Sequence, residues 1–161
     1  MKRALLISTL CATIFGCNDV TTNTADNSLI KSIFQGPIQT NVEKYNIENK
    51  FAEVTVKADY ELTARVYSQR YYLNDRQAQL IPFDIAYSWG ELAEDPNFEQ
   101  LKVKQRNRWV YWRYDKGFMS GKEIIKSISN THIIPASETV SDTLRKLDKG
   151  DIIQLEGHLV D

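Results

Sequence analysis

Between Val54 and Tyr72 apolar and polar side chains alternate, with Tyr60, Leu62, Ala64 and Val66 on one parity and Glu61, Thr63 and Arg65 on the other. A period of two separates the faces of a strand, so this stretch predicts a half-buried β-strand. Asn74-Asp75 offers a turn. Phe83, Ile85, Tyr87 and Trp89 then alternate with Asp84, Ala86 and Ser88 in a second strand, which Gly90 ends. Asp95-Pro96 has the composition of a helix cap followed by a first-turn proline, which predicts a short helix reaching about Leu101.

A third strand is expected from about Gln105 to Tyr114. Ser120 and Glu123 have capping-box spacing, because the serine hydroxyl can accept from the glutamate amide while the carboxylate reaches back. A helix through Ile124, Ile125 and Ile128 follows. A brief strand over Thr131 to Ile134 is stopped by Pro135. Ser137 or Thr139 caps a last helix, with Val140, Leu144 and Leu147 on one face, Asp142 and Lys146 at paired spacing, and Gly150 placed as a C-terminal cap. The chain finishes on DIIQLEGHLVD, an extended and largely apolar strand. At least four strands and two or three helices in irregular order imply the α+β class. A small twisted, antiparallel-rich sheet, OB-like and curled into a partly open barrel, accommodates that order.

The N-terminal half is organised differently. Lys2 and Arg3 precede a run from Ala4 to Phe15 with only Ser8, Thr9 and Thr13 as polar interruptions. That run is shorter than the roughly 20 apolar residues of a membrane-spanning helix, so it reads as an export signal. Ile14-Phe15-Gly16-Cys17 resembles a bacterial lipoprotein box, although Phe15 stands where a smaller residue is usual. The expected organisation is a signal peptide over 1–16, lipidation at Cys17, a flexible polar tether over 17–28, a helical or irregular lead-in over 29–50, and a single α+β domain over 51–161. In the lead-in, Leu29, Ile30, Ile33 and Phe34 are spaced for a short helix before Gly36-Pro37 breaks it. The localisation that follows is an exported protein, lipid-anchored to a bacterial membrane and facing the periplasm, with the outer membrane as the expected site.

Charge and cysteine content narrow the chemistry. The chain has 20 basic and 21 acidic residues, a net charge of −1; loss of 1–16 removes Lys2 and Arg3 and leaves 18 against 21, or −3. Such a balance gives no general attraction to nucleic acid, whose non-specific binding rests on phosphate neutralisation. Of the two cysteines only Cys17 survives processing, so neither an intramolecular disulfide nor a cysteine metal site is expected.

IPFDIAYSWGELAEDPN, NRWVYWRY, SNTHIIPA and KGDIIQLEGHLVD together resemble an uncharacterised family of small exported bacterial proteins or lipoproteins, over roughly residues 59–161. The resemblance implies a shared domain and brings no activity, cofactor or catalytic residue. Members continue past the position of Asp161 with a further tryptophan-bearing strand, so the domain is expected to be truncated at its C-terminus.

Candidate chemistry gathers around His132, one of two histidines. An imidazole near neutral pH can act as base, ligand or hydrogen-bond partner. In a regular strand Asn130 shares its face while Ser129 and Thr131 point the other way, so Ser129 cannot be a nucleophile served by His132. His158 stands without metal-ligand spacing, and neither metal nor cofactor is expected. From Lys102 to Tyr114, Lys102, Lys104, Arg106, Arg108 and Arg113 interleave with Trp109, Tyr111, Trp112 and Tyr114. Either this is packing, with Trp109 and Tyr111 facing the core and Arg108 and Trp112 on the outer face, or it is a surface for an anionic or aromatic ligand or a protein partner. Glu91, Glu94, Asp95 and Glu99 read as a solvated loop and helix start.

The ligand-binding candidates are therefore Trp89, Arg108, Trp112, Asn130 and His132. The first functional expectation is a membrane-tethered binding or interaction module, with no catalytic residue. The alternative is a small envelope hydrolase using His132 as general base.

Overall fold

The computed structural model describes residues 4–9, 32–115 and 117–161. Its strands are β1 (Ala4–Thr9), β2 (Ile38–Asn49), β3 (Ala52–Tyr71), β4 (Phe83–Ser88), β5 (Lys102–Arg106), β6 (Trp109–Arg113), β7 (Ile128–Pro135) and β8 (Ile152–Val160). The helices are α1 (Asn97–Gln100), α2 (Gly121–Lys126) and α3 (Glu138–Arg145), with a 3₁₀ turn at Gly90–Ala93. Six strands form one sheet in the order β2-β3-β4-β7-β1-β8, and β8 also pairs with β3. Among the pairings of the described residues, only that of β1 with β7 is parallel. The result is an α+β fold built on a curled, antiparallel-rich sheet. β5 and β6 stand apart as a two-stranded ribbon.

The alternation in β3 and β4 fills the inside of the curl. Tyr60, Leu62, Ala64 and Val66 meet Phe83, Ile85 and Tyr87, together with Ile133, Ile153 and Leu155, while α3 adds Val140 and Leu144. Tyr87 keeps its buried hydroxyl satisfied, 2.6 Å from Thr131 Oγ1 and 3.3 Å from the Tyr60 hydroxyl. This is the usual requirement for a tyrosine in a core.

β4 is not half-buried, as its alternation suggested, but buried along its whole length. Its outer face is covered by a second core, in which Tyr67, Leu92, Phe98, Leu101, Ile124 and Ile128 pack with Val103, Val110 and Trp112 of the ribbon. The pairing of β3 with β4 shifts register between Val66 and Ser68. A bulge of this kind lets consecutive residues serve opposite cores, Val66 the inner and Tyr67 the outer.

Several local expectations are met by side-chain chemistry. Ser120 and Glu123 form the capping box of α2, and Ser137 Oγ accepts from the Val140 amide at the start of α3. Others give way. Pro96, not Asp95, precedes α1, and Asp95 instead pairs with Arg65 at 3.1 Å. Asp142 pairs with Arg145, the residue before Lys146. Gly150, at φ 98°, lies beyond the end of α3 in the turn where its amide reaches the Val66 carbonyl before β8.

The sheet begins before Phe51, since residues 38–49 of the lead-in pair with β3. The helix expected at Leu29–Phe34 falls partly outside the described residues, with Ser32 and Ile33 helical and Ile33 buried. Cys17 and the tether lie outside them as well. Among the described residues no helix is long and apolar enough to cross a membrane.

Candidate functional site

Antiparallel pairing of β4 with β7 sets Asp84 directly opposite His132. His132 Nδ1 lies 2.6 Å from Asp84 Oδ1, and the Asp84 side chain is 0 % exposed. A carboxylate only accepts, so Nδ1 carries the hydrogen of this contact. Nε2 makes no hydrogen bond to a described residue, and the His132 side chain keeps 19 % of its surface.

Asp84 takes two further donors. The Tyr72 hydroxyl donates to Oδ2 at 3.2 Å, and Arg108 Nη1 approaches Oδ1 at 3.3 Å. Burial first, and then the neighbouring carboxylate, push the Tyr72 hydroxyl above its ordinary range, which keeps it a donor. The guanidinium of Arg108 also makes a fork to Asp75, with Nε and Nη2 at 2.7 and 2.8 Å, and reaches the Ile81 carbonyl at 2.9 Å. It lies 4.2 Å from the centre of the Tyr72 ring. The Arg108 hydrogen bond, ahead of the other influences, holds the Asp75 carboxyl below its usual 3.8.

Arg108 reaches this position because the expected third strand is in fact a hairpin. Asn107 and Arg108 join β5 to β6 with φ of 51° and 62°. Positive φ at both central residues is the requirement of a type I′ hairpin turn. The turn is tied to the sheet a second time by a row of amides: Ser68 donates to Gln105, Gln105 to Asn130, and Asn130 to the Arg108 carbonyl. Gln105 is buried, so every link in this row replaces a lost bond to water.

The structure therefore gathers Arg108, Asn130 and His132, and leaves the two tryptophans elsewhere. Trp89 lies past the far end of β4, packed against the inner core beside Tyr87. Trp112 faces the outer core and stacks on Tyr114. Asp84, Asp75 and Tyr72 complete the cluster and were not singled out in the sequence. Asp84 reads there as the polar parity of a half-buried strand, and only its non-local register with His132 gives it away.

The ribbon corrects the packing expectation for Trp109 and Tyr111. Val103, Gln105, Val110 and Trp112 face the protein, whereas Lys102, Lys104, Arg106, Trp109, Tyr111 and Arg113 are all exposed. Cross-strand pairs set Arg106 opposite Trp109, Lys104 opposite Tyr111 and Lys102 opposite Arg113. None of these four cations makes an ion pair or side-chain hydrogen bond among the described residues. Four unpaired positive charges and two aromatic rings thus share one face of a chain whose net charge is −1.

The second histidine repeats the first pattern in a more open setting. His158 stands opposite Asp59, with Nδ1 2.8 Å from its carboxylate, in a cleft of about 370 Å³ that Glu61 and Glu156 also line. Among the described residues no group of three or more side chains is arranged to hold a metal ion. Comparison with protein-family models, curated proteins and solved structures finds no match to this chain.

Proposed function

We propose that the protein is an interaction module whose working surface is the outer face of the β5–β6 ribbon, and that it binds an anionic partner. The observation that carries this reading is the row Lys102, Lys104, Arg106 and Arg113 beside exposed Trp109 and Tyr111, with no acidic side chain among the described residues bound to it. Leaving like charges together unneutralised costs stability, and an external anion relieves that cost. In this reading the Asp84–His132–Arg108 cluster is the clamp that fixes the ribbon on the sheet. An export signal over 1–16 and a lipid on Cys17, read from the Ala4–Phe15 run and the Ile14-Phe15-Gly16-Cys17 box, would direct the module to the envelope and tether it there. The curl of the sheet over α3 is read as an OB-like, partly open barrel.

The hydrolase alternative keeps one observation in its favour, the buried carboxylate behind His132. Among the described residues neither Ser129 nor Thr131 can serve it as nucleophile, because their hydroxyls bond to each other and to Tyr87 on the opposite face, so it would need water as the attacking group. No hydroxyl of a described residue stands within hydrogen-bond distance of Nε2.

Phosphocellulose chromatography tests the interaction reading. The full chain, though slightly acidic overall, is expected to be retained at low salt, and Lys104→Glu with Arg106→Glu to pass through while keeping its circular dichroism. Wild-type protein that fails to bind the matrix overturns the reading.

A further inference from the structure

The nature of the anionic partner follows from the shape of the ribbon, and rests on the reading of that face as an anion-binding surface. We infer that the outer face of the ribbon lies against an anionic phospholipid surface, with its four cations among the headgroups and Trp109 and Tyr111 at the interface.

Attraction to a charged membrane sums over the cations near its surface and needs no shaped pocket. Flatness argues against a polymer strand, since neither described cleft is lined by a ribbon residue. Among the six outward side chains, moreover, only the Tyr111 hydroxyl can accept a hydrogen bond, so the face offers positive charge and donors and almost nothing for a partner's own donors. Its composition is that of an interfacial anchor. Tryptophan and tyrosine settle at headgroup depth, and each lysine or arginine near an anionic leaflet strengthens attachment by roughly fivefold. Trp109 and Tyr111 are 63 % and 57 % exposed, positions from which both rings can enter that layer without unfolding the ribbon.

Cosedimentation of the full chain with vesicles provides the test, using phosphatidylcholine alone and an equal mixture with phosphatidylglycerol. The leader is present in every sample, so differences between variants report the ribbon. Wild-type protein should bind the mixed vesicles and be released by salt, and Lys104→Glu with Arg106→Glu should bind them more than about tenfold more weakly. Lipids brominated on their upper chain should quench tryptophan emission in the wild type and markedly less in Trp109→Phe, a substitution at a solvent-facing position. Equal sedimentation with both vesicle types, undiminished binding by the charge-reversed protein, or equal quenching in Trp109→Phe overturns the inference. Retention on phosphocellulose without binding to phosphatidylglycerol rejects the membrane and leaves the anion-binding face standing.

Discussion

Arg108→Ala lowers the unfolding free energy by about 3–5 kcal/mol, measured by urea denaturation, because it strands a buried carboxylate. Asp84 is fully buried, and Arg108, itself only 12 % exposed, is the arginine or lysine that pairs with it among the described residues. The substitution also frees the Asp75 fork and the contact to the Ile81 carbonyl, so the 72–82 loop and the ribbon turn lose their common anchor. Arg108→Lys recovers only part of the loss, since an ammonium cannot bridge two carboxylates and a carbonyl with a planar fork. The same pair sets an acid limit. The Asp75 carboxyl is held below 3.8 in the folded state, so its contribution is complete above that pH and is lost as pH falls through the lower folded value. Arg108→Ala lacks this contribution at every pH. The gap in stability between wild type and variant should therefore narrow in that acidic window, and a gap of less than about 1 kcal/mol at neutral pH would remove the clamp from the account.

A loss of similar size, about 3–5 kcal/mol, is expected for Phe98→Ala in the outer core. Phe98 belongs to a single helical turn that could not persist without tertiary support. Its ring stacks on Tyr67 with centres 4.3 Å apart, and the Arg65 guanidinium sits 4.0 Å from its centre. Truncation thus leaves a cavity and unseats the cation that fastens the Gly90–Ala93 segment through the Ala93 carbonyl. Phe98→Leu, which keeps most of the volume, should cost less than about 1.5 kcal/mol. Thermal denaturation of the two variants side by side checks the ranking, and equal midpoints would show that the outer core does not hold the helical segment in place.

The sheet was legible where one parity is buried and the other is not. Tyr60 to Val66 and Phe83 to Tyr87 announced the inner core because each side chain on that parity enters it. β2 was hidden for the converse reason. It is an edge strand, mostly exposed, and a register shift between Asn41 and Tyr45 breaks its period. The hairpin was hidden because its turn is made by Asn107 and Arg108, without the glycine that usually marks positive φ. The orientation of Trp109 could not be read at all. Alternation separates two faces but does not say which one turns inward. Here Gln105, paired with Val110 and bonded to Ser68 and Asn130, selects the inner face and sends the aromatic rings out. The site was half legible: His132, Asn130 and Arg108 were visible as residue types, whereas Asp84 required the pairing of β4 with β7.

That the ribbon's outer face binds anions is tested most directly by the salt dependence of affinity for a soluble polyanion such as heparin, measured by titration for the wild type and for four variants. Each variant replaces one of Lys102, Lys104, Arg106 and Arg113 with serine. If these cations displace counterions together, the slope of log K against log salt falls in magnitude by roughly 1 for each one removed, while Lys57→Ser, away from the ribbon and paired with Asp161, leaves it unchanged. Slopes that ignore the four ribbon substitutions, or respond equally to Lys57→Ser, would contradict the account.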